Sequence, residues 1–221
     1  ISFLKEIATN ISIGVKSLRN EEELKRNHER YKRTIYEAVD AIALISERRD
    51  PYTGVHQRKV ALLSSAIAEE MKLADYDIEG IYITGLLHDI GKNSTPLSIL
   101  SKPSKLNEPE TMIIRLHSQD AYEILKSIEF PWPVAQTVLQ HHERLDGSGY
   151  PNGLKGSEII LNARILGVAD VIEAMSSHRP YRPAIGLNKA LKEVFRNRNI
   201  LFDPKVVDAC LRVFNERKFE L

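Results

Sequence analysis

Val134-Ala135-Gln136-Thr137-Val138-Leu139-Gln140-His141-His142-Glu143-Arg144-Leu145-Asp146-Gly147-Ser148-Gly149-Tyr150-Pro151 is the stretch on which the reading of this chain turns. Val134, Thr137, Val138, His141 and His142 recur at i, i+3, i+4, i+7 and i+8, one face of an α-helix. The helical pattern then stops in a turn-rich run carrying Gly147, Gly149 and Pro151. Two imidazoles therefore occupy positions where an apolar core stripe would continue. A metal is the explanation that best fits two adjacent histidines at such positions.

Working outward, the same pattern recurs. Upstream, Asp50-Pro51-Tyr52-Thr53-Gly54 is expected to break the chain, with a helix from about Val55 to Met71 after it. His56 there shares a face with Val60, Leu63 and Ile67. A further helix, about Asp75 to Lys92, carries Ile78, Ile81, Leu86 and Ile90 together with the pair His88-Asp89, and places Lys92 four residues past His88 on the same side. Residues 93 to 107 read as a loop. Asn107 followed three residues later by Glu110 is a capping-box start, and the helix it opens should bury Ile113, Leu116, Ala121, Ile124 and Leu125, with His117 at the edge of that stripe. Downstream, helical pattern over about Glu158 to Met175 leads Ile165, Leu166 and Ala169 to Asp170. A basic turn from His178 to Arg182 follows, then two closing helices, the second opened by Asp203 as N-cap and Pro204 at the first helical position. No period-2 stretch of useful length is present, so the fold class is all-α.

His56, His88, Asp89, His117, His141, His142 and Asp170 thus lie on or beside apolar faces of five different helices. Singly, each reads as a hydrogen-bonded core residue. Together, buried carboxylates among five imidazoles compensate one another best around divalent cations. Seven ligands exceed the three or four of a tetrahedral zinc site and suit two octahedral ions with Asp89 between them. Imidazole and carboxylate without thiolate favour iron, manganese, zinc or nickel over copper(I) or calcium. Metals paired roughly 3.5–4 Å apart suit phosphate-ester hydrolysis. His28, in a charged helix, and His178, in a basic turn, stand outside the set.

Composition narrows the class. Lys+Arg 31 against Asp+Glu 30 in 221 residues gives no broad attraction to DNA or RNA polymers. The single cysteine, Cys210, falls among Val206, Val207, Leu211 and Phe214 and reads as a core residue. That excludes an intrachain disulfide and suits a reducing, cytoplasmic setting. No apolar run is long enough to span a bilayer, and no membrane contact is expected. Residues 1 to 49 repeat Leu4, Ile7, Ile11, Val15, Leu18 and later Leu24, Tyr31, Ile35, Val39 and Ile42 around a charged run, Asn20 to Arg26. This pattern suits a long linker helix, residues 1–40, that pairs with a second copy in a homodimer, ahead of a domain over residues 41–221. Packing of this helix on its own domain fits the pattern equally well. Because the chain begins at Ile1, already in helical pattern, an upstream segment is expected.

Asp50 through His56, Leu87-His88-Asp89-Ile90-Gly91-Lys92, His141 through Pro151, and Val168-Ala169-Asp170 leading to Arg179-Pro180-Tyr181-Arg182-Pro183 together resemble the HD-GYP domain, a branch of the HD-superfamily metal phosphohydrolases. The resemblance covers about Ala41 to Phe214. It implies a helical bundle that hydrolyses cyclic di-GMP in bacterial second-messenger signalling. It assigns His56, His88, Asp89 and Asp170 to one metal and Asp89, His117, His141 and His142 to the other. It also sets Lys92 on the scissile phosphate, Arg179 and Arg182 on the nucleotide's phosphates or guanine, and Tyr150 in the pocket wall. Phe3 to Leu18 is similar to the closing helix of a GAF sensor domain, which implies such a domain upstream, and a diguanylate cyclase is a possible partner of the Gly-Tyr-Pro loop. Two departures carry expectations. Tyr52 stands where some members have a glutamate for a third metal, which predicts two metals and accumulation of the linear product pGpG ahead of GMP. Ala121 stands where glycine is common, preceded by Asp120, a carboxylate placed either to bond the His117 ring or to face solvent. The alternatives to a cyclic di-GMP phosphodiesterase are an enzyme for another cyclic dinucleotide such as cyclic GMP-AMP, a catalytically weak sensor of the nucleotide, and an interaction module.

Overall fold

In the computed structural model, residues 2–49, 51–177, 184–217 and 219 are described; side chains of 2, 4–9, 11, 13, 28, 47, 48 and 51–54 are not. Arg179, Arg182 and His178 lie outside the described residues, as does the Tyr52 side chain. The chain divides into two compact units, Ile1–Asp40 and Ala41–Leu221. The first is part of one long helix, α1 (Ser2–Arg49), with i,i+4 ion pairs such as Lys25–Glu21 and Arg26–Glu22 on its exposed surface.

The second unit is built from the end of α1 and nine further helices among the described residues: α2 (Pro51–Glu70), α3 (Asp75–Leu87), α4 (Leu97–Leu100), α5 (Glu108–Arg115), α6 (His117–Leu125), α7 (Val134–Gln140), α8 (Leu161–Ser176), α9 (Leu187–Arg196) and α10 (Pro204–Asn215). The described residues hold only isolated bridges, no strand, as an all-α reading requires. The core forms where α2 lies between α3 and α8, with α9 and α10 closing the far side. Val60, Leu63 and Ile67 of α2 interlock there with Ile165, Leu166, Ala169 and Ile172 of α8 and with Val206, Val207, Cys210 and Val213 of α10. Fully burying one such aliphatic side chain stabilises the fold by about 1.5–3 kcal/mol. The α2 periodicity therefore commits His56 to the interior, since it continues the same face.

Three boundaries differ from the sequence reading. The second helix begins at Pro51, not Val55, because proline fits a first helical turn where its missing N–H is not needed. The third ends at Leu87, and a separate 3-10 turn, Ile90–Ser94, follows. The eighth starts at Leu161 after a short 3-10 turn, Gly156–Glu158. The Asn107–Glu110 capping box and the Asp203 cap with Pro204 are present as read, with Asn107 Oδ1 accepting from the Glu110 N–H at 2.9 Å and Asp203 Oδ1 from the Lys205 N–H at 2.8 Å. The stripe expected after Asn107 is a partial miss. The helix breaks at Leu116 into α5 and α6, which lets Ala121 and Leu125 bury while Ile113, Leu116 and Ile124 stay exposed.

Candidate metal centre

Helix ends aim the histidines: the sequence reading foresaw the one at His141 and missed those after Leu87 and at Leu116. His88 caps the C-terminus of α3, His141 caps α7, and His117 opens α6 directly behind the last turn of α5. Carbonyls in the last turn of a helix lack intrahelical partners, and each of these rings uses one. His88 Nδ1 lies 2.7 Å from Gly85 O, His117 Nδ1 2.6 Å from Ile114 O, and His141 Nδ1 2.5 Å from Val138 O, all three residues back. A carbonyl only accepts, so Nδ1 carries the proton in each ring and Nε2 presents a lone pair to the centre.

Those lone pairs converge. Nitrogen and carboxylate atoms of His56, His88 and Asp170 lie within 4.8 Å of one another, as do those of His117, His141 and His142; His88, Asp89 and His141 form a third such group. Asp89 lies between the halves: its Oδ2 is 3.6 Å from His88 Nε2 and 3.7 Å from His56 Nε2, and its Oδ1 is 3.5 Å from His117 Nε2. Asp170 Oδ1 is 3.1 Å from His56 Nε2 and its Oδ2 3.8 Å from His142 Nδ1. All seven residues singled out in the sequence therefore meet in one place. Lys92, one 3-10 turn past Asp89, puts its ammonium 2.5 Å from Asp89 Oδ2. It pairs with Asp89 rather than following His88 because the 3-10 turn repeats every three residues, not 3.6.

The environment favours cations. Burial first, with smaller electrostatic contributions, drives the His117 pKa to about 4 and that of His141 to about 3, and lowers His88 and His142 too, so these rings stay neutral and able to ligate. Burial pushes Asp89 and Asp170 the other way, but Lys92 and the surrounding histidines beside Asp89, and the His56 ring and its neighbours beside Asp170, more than offset it, and both stay ionised. The Nε2 atoms of His88 and His141 are buried without a hydrogen-bond partner, a state that costs about 1–3 kcal/mol per group. His117 Nε2, already a lone pair, faces His142 Nε2 at 3.1 Å. Orphaned imidazole nitrogens turned toward ionised carboxylates are what a divalent-metal site without thiolate presents. The donor set fits such ions.

The signature loop forms the wall. Tyr150 stacks on His142, ring centroids 4.6 Å apart and tilted by 29°, and the Arg115 guanidinium lies 5.1 Å from the Tyr150 centroid on α5. Glu143 is buried and holds the loop by accepting from Asn152 N at 2.7 Å and Leu154 N at 3.0 Å. A Cβ on Gly149 would come within 2.4 Å of Glu143 Cα, so only glycine passes there. Asp120, left open in the sequence, is not the partner of the His117 ring nitrogen Nδ1, which bonds Ile114 O. The sequence reading missed Glu173. It is 1% exposed and hydrogen-bonds His56 Nδ1 through Oε2, while Oε1 accepts from Ser177 Oγ at 2.5 Å. An acid in the apolar run of α8, one turn past Asp170, is the signal that would have found it.

The match to a known family spans the stretch that holds these residues. The family model described as HD domain matches residues 40–206. The response regulator RpfG of Xanthomonas campestris pv. campestris, a cyclic di-GMP phosphodiesterase, is 40% identical over 178 residues, 80% of this chain and 47% of RpfG. The 3′3′-cGAMP-specific phosphodiesterase 1 of Vibrio cholerae is 43% identical over 150 residues, 68% of this chain and 35% of that protein. The chain thus spans half or less of the length of these relatives. Among solved structures, Bd1817, an HDG"Y"P protein from Bdellovibrio bacteriovorus, superposes with a TM-score of 0.60 at 18% identity, covering 72% of this chain and 51% of that one, a likeness of fold. With its His88-Asp89 pair and its His141–Pro151 signature, the chain belongs to the HD domain family, in the HD-GYP branch.

Proposed function

We propose that this domain is a phosphodiesterase that hydrolyses cyclic di-GMP at two divalent ions. The observation that carries the proposal is Asp89, whose two oxygens face separate groups of ligands. His56, His88, Asp89 and Asp170 would hold one ion and Asp89, His117, His141 and His142 the other, with iron or manganese the best match to the donor set. Such ions lower the pKa of water and draw charge from phosphoryl oxygens. The side chains do the rest. Lys92 brings a fixed positive charge to the edge of the centre, where negative charge develops on the phosphate. Tyr150 holds the His142 ring by stacking. Arg179 and Arg182, outside the described residues, would grip the nucleotide's phosphates or guanine, as the resemblance implies. No side-chain nucleophile is needed, and Cys210 is unfit for that role: it is buried among α8 to α10, its thiol pKa pushed up to about 12 by burial.

A second substrate has a specific observation behind it, the 43% identity to a 3′3′-cGAMP-specific enzyme. Both substrates present the same phosphodiester and differ in one base. The test is metal analysis of anaerobically purified protein, then chromatography after incubation with cyclic di-GMP or 3′3′-cGAMP. Two equivalents of metal and faster loss of cyclic di-GMP are expected, with pGpG accumulating before GMP because Tyr52 gives no third-metal ligand. Intact nucleotide in the presence of bound metal would favour the sensor reading. The same reading sets the domain in the cytoplasm, paired through α1 and controlled by a sensor domain upstream.

A further inference from the structure

Four histidines of the centre take an Nδ1 partner, and they do so in two ways. His88, His117 and His141 stand at helix ends and bond a spare carbonyl of their own chain segment. His56 stands inside α2, where backbone carbonyls are taken up by the i→i+4 ladder. Its Nδ1 is instead bonded by the buried carboxylate of Glu173 from α8, on the ring edge opposite Nε2, which faces Asp170 at 3.1 Å. Glu173 is itself fixed, its second oxygen held by Ser177 Oγ at 2.5 Å and its side chain sealed from water.

We propose that Glu173 is a positioning residue: it locks the ring of His56 with Nδ1 protonated and Nε2 on the metal, and so makes the His56–His88–Asp170 half of the centre the tighter of the two ion sites. This rests on the metal-centre reading above. A carboxylate bonded to the far nitrogen of an imidazole makes the near nitrogen a stronger donor than a neutral carbonyl does. The half containing His56 also has Asp170 beside the shared Asp89, whereas the other half adds only His117, His141 and His142. Glu173 itself is no ligand, because the His56 ring separates it from the centre.

The test is titration of the metal-stripped full chain with Mn²⁺, followed calorimetrically. Wild type should bind two ions in two classes. Glu173→Gln, which keeps an acceptor but removes the charge, should weaken the tighter class about 10-fold or more and leave the weaker class in place. In a His56→Ala background the same change should have no further effect, because the residue it acts through is gone. Glu173→Asp should recover part of the affinity and covers the case in which the glutamine variant fails to fold. An unchanged tighter class in Glu173→Gln, or an equal loss in the His56→Ala background, overturns the proposal. Absence of Mn²⁺ binding by wild type would instead overturn the metal-centre reading beneath it.

Discussion

At the scale of residues, the centre concentrates function in groups that each serve more than one neighbour. Asp89 faces both halves, so Asp89→Ala should strip both ions and all hydrolysis, read as metal content and nucleotide turnover; full occupancy in that variant would refute the shared role. Lys92 pairs with Asp89 through an ammonium, which has no lone pair to offer a metal. Lys92→Ala should therefore keep both ions and lose roughly 10²–10³ in kcat, the usual cost of removing one charge-stabilising donor. The buried rings also set an acid limit on the metal-free fold. His117 and His141 are held well below the ordinary 6.5, so the unfolded chain takes up protons first as pH falls. Stability contributed by the neutral rings is present above about pH 6.5 and is lost toward pH 4. The slope is about 1.4 kcal/mol per pH unit for each histidine involved. Asp89 and Asp170, held ionised, lose their contribution in the same direction as pH drops further. Urea midpoints of metal-free protein at pH 7 and 5.5 check this; equal midpoints would mean the rings are not buried neutral.

At the scale of elements, helix ends rather than helix faces aim the ligands, and glycines set how closely those ends approach. A Cβ on Gly91 would lie 1.9 Å from His117 O and 2.6 Å from Ala121 N, both backbone atoms of α6 that have no room to yield. Gly91→Ala should therefore push α6 from the 3-10 turn, destabilise the fold by about 1–3 kcal/mol or more, and weaken metal binding through His117. Calorimetric melting with and without Mn²⁺ separates the two effects. A wild-type melting temperature in this variant would show that α6 shifts freely. Gly167, whose added Cβ would meet His141 O at 2.6 Å, makes the same kind of close crossing between α8 and the end of α7.

At the scale of the whole molecule, the Ile1–Asp40 unit carries Val15, Leu18, Leu24 and Tyr31 exposed on a single helix. Mixed charge with exposed apolar repeats is the pattern of a helix that pairs with another, and we expect a dimer in sedimentation that becomes a monomer when residues before Tyr31 are removed. An unchanged mass would refute the pairing and favour packing of the helix on its own domain. No described helix is long and apolar enough to cross a membrane. The sequence by itself determined the all-α class, the seven candidate ligands, both capping signals and the α2 stripe. These follow from residue type and 3.6-residue periodicity, which are local properties. It mistook where α3 ends, treated α5 and α6 as one buried helix and passed over Glu173. Helix ends depend on which carbonyls find a side-chain partner, and the break at Leu116 leaves α6 lying against Gly91. The value of an acid in α8 depends on a histidine 117 positions away on α2. Only tertiary structure decides such matters, because burying a polar group is tolerable solely where packing brings its partner within reach.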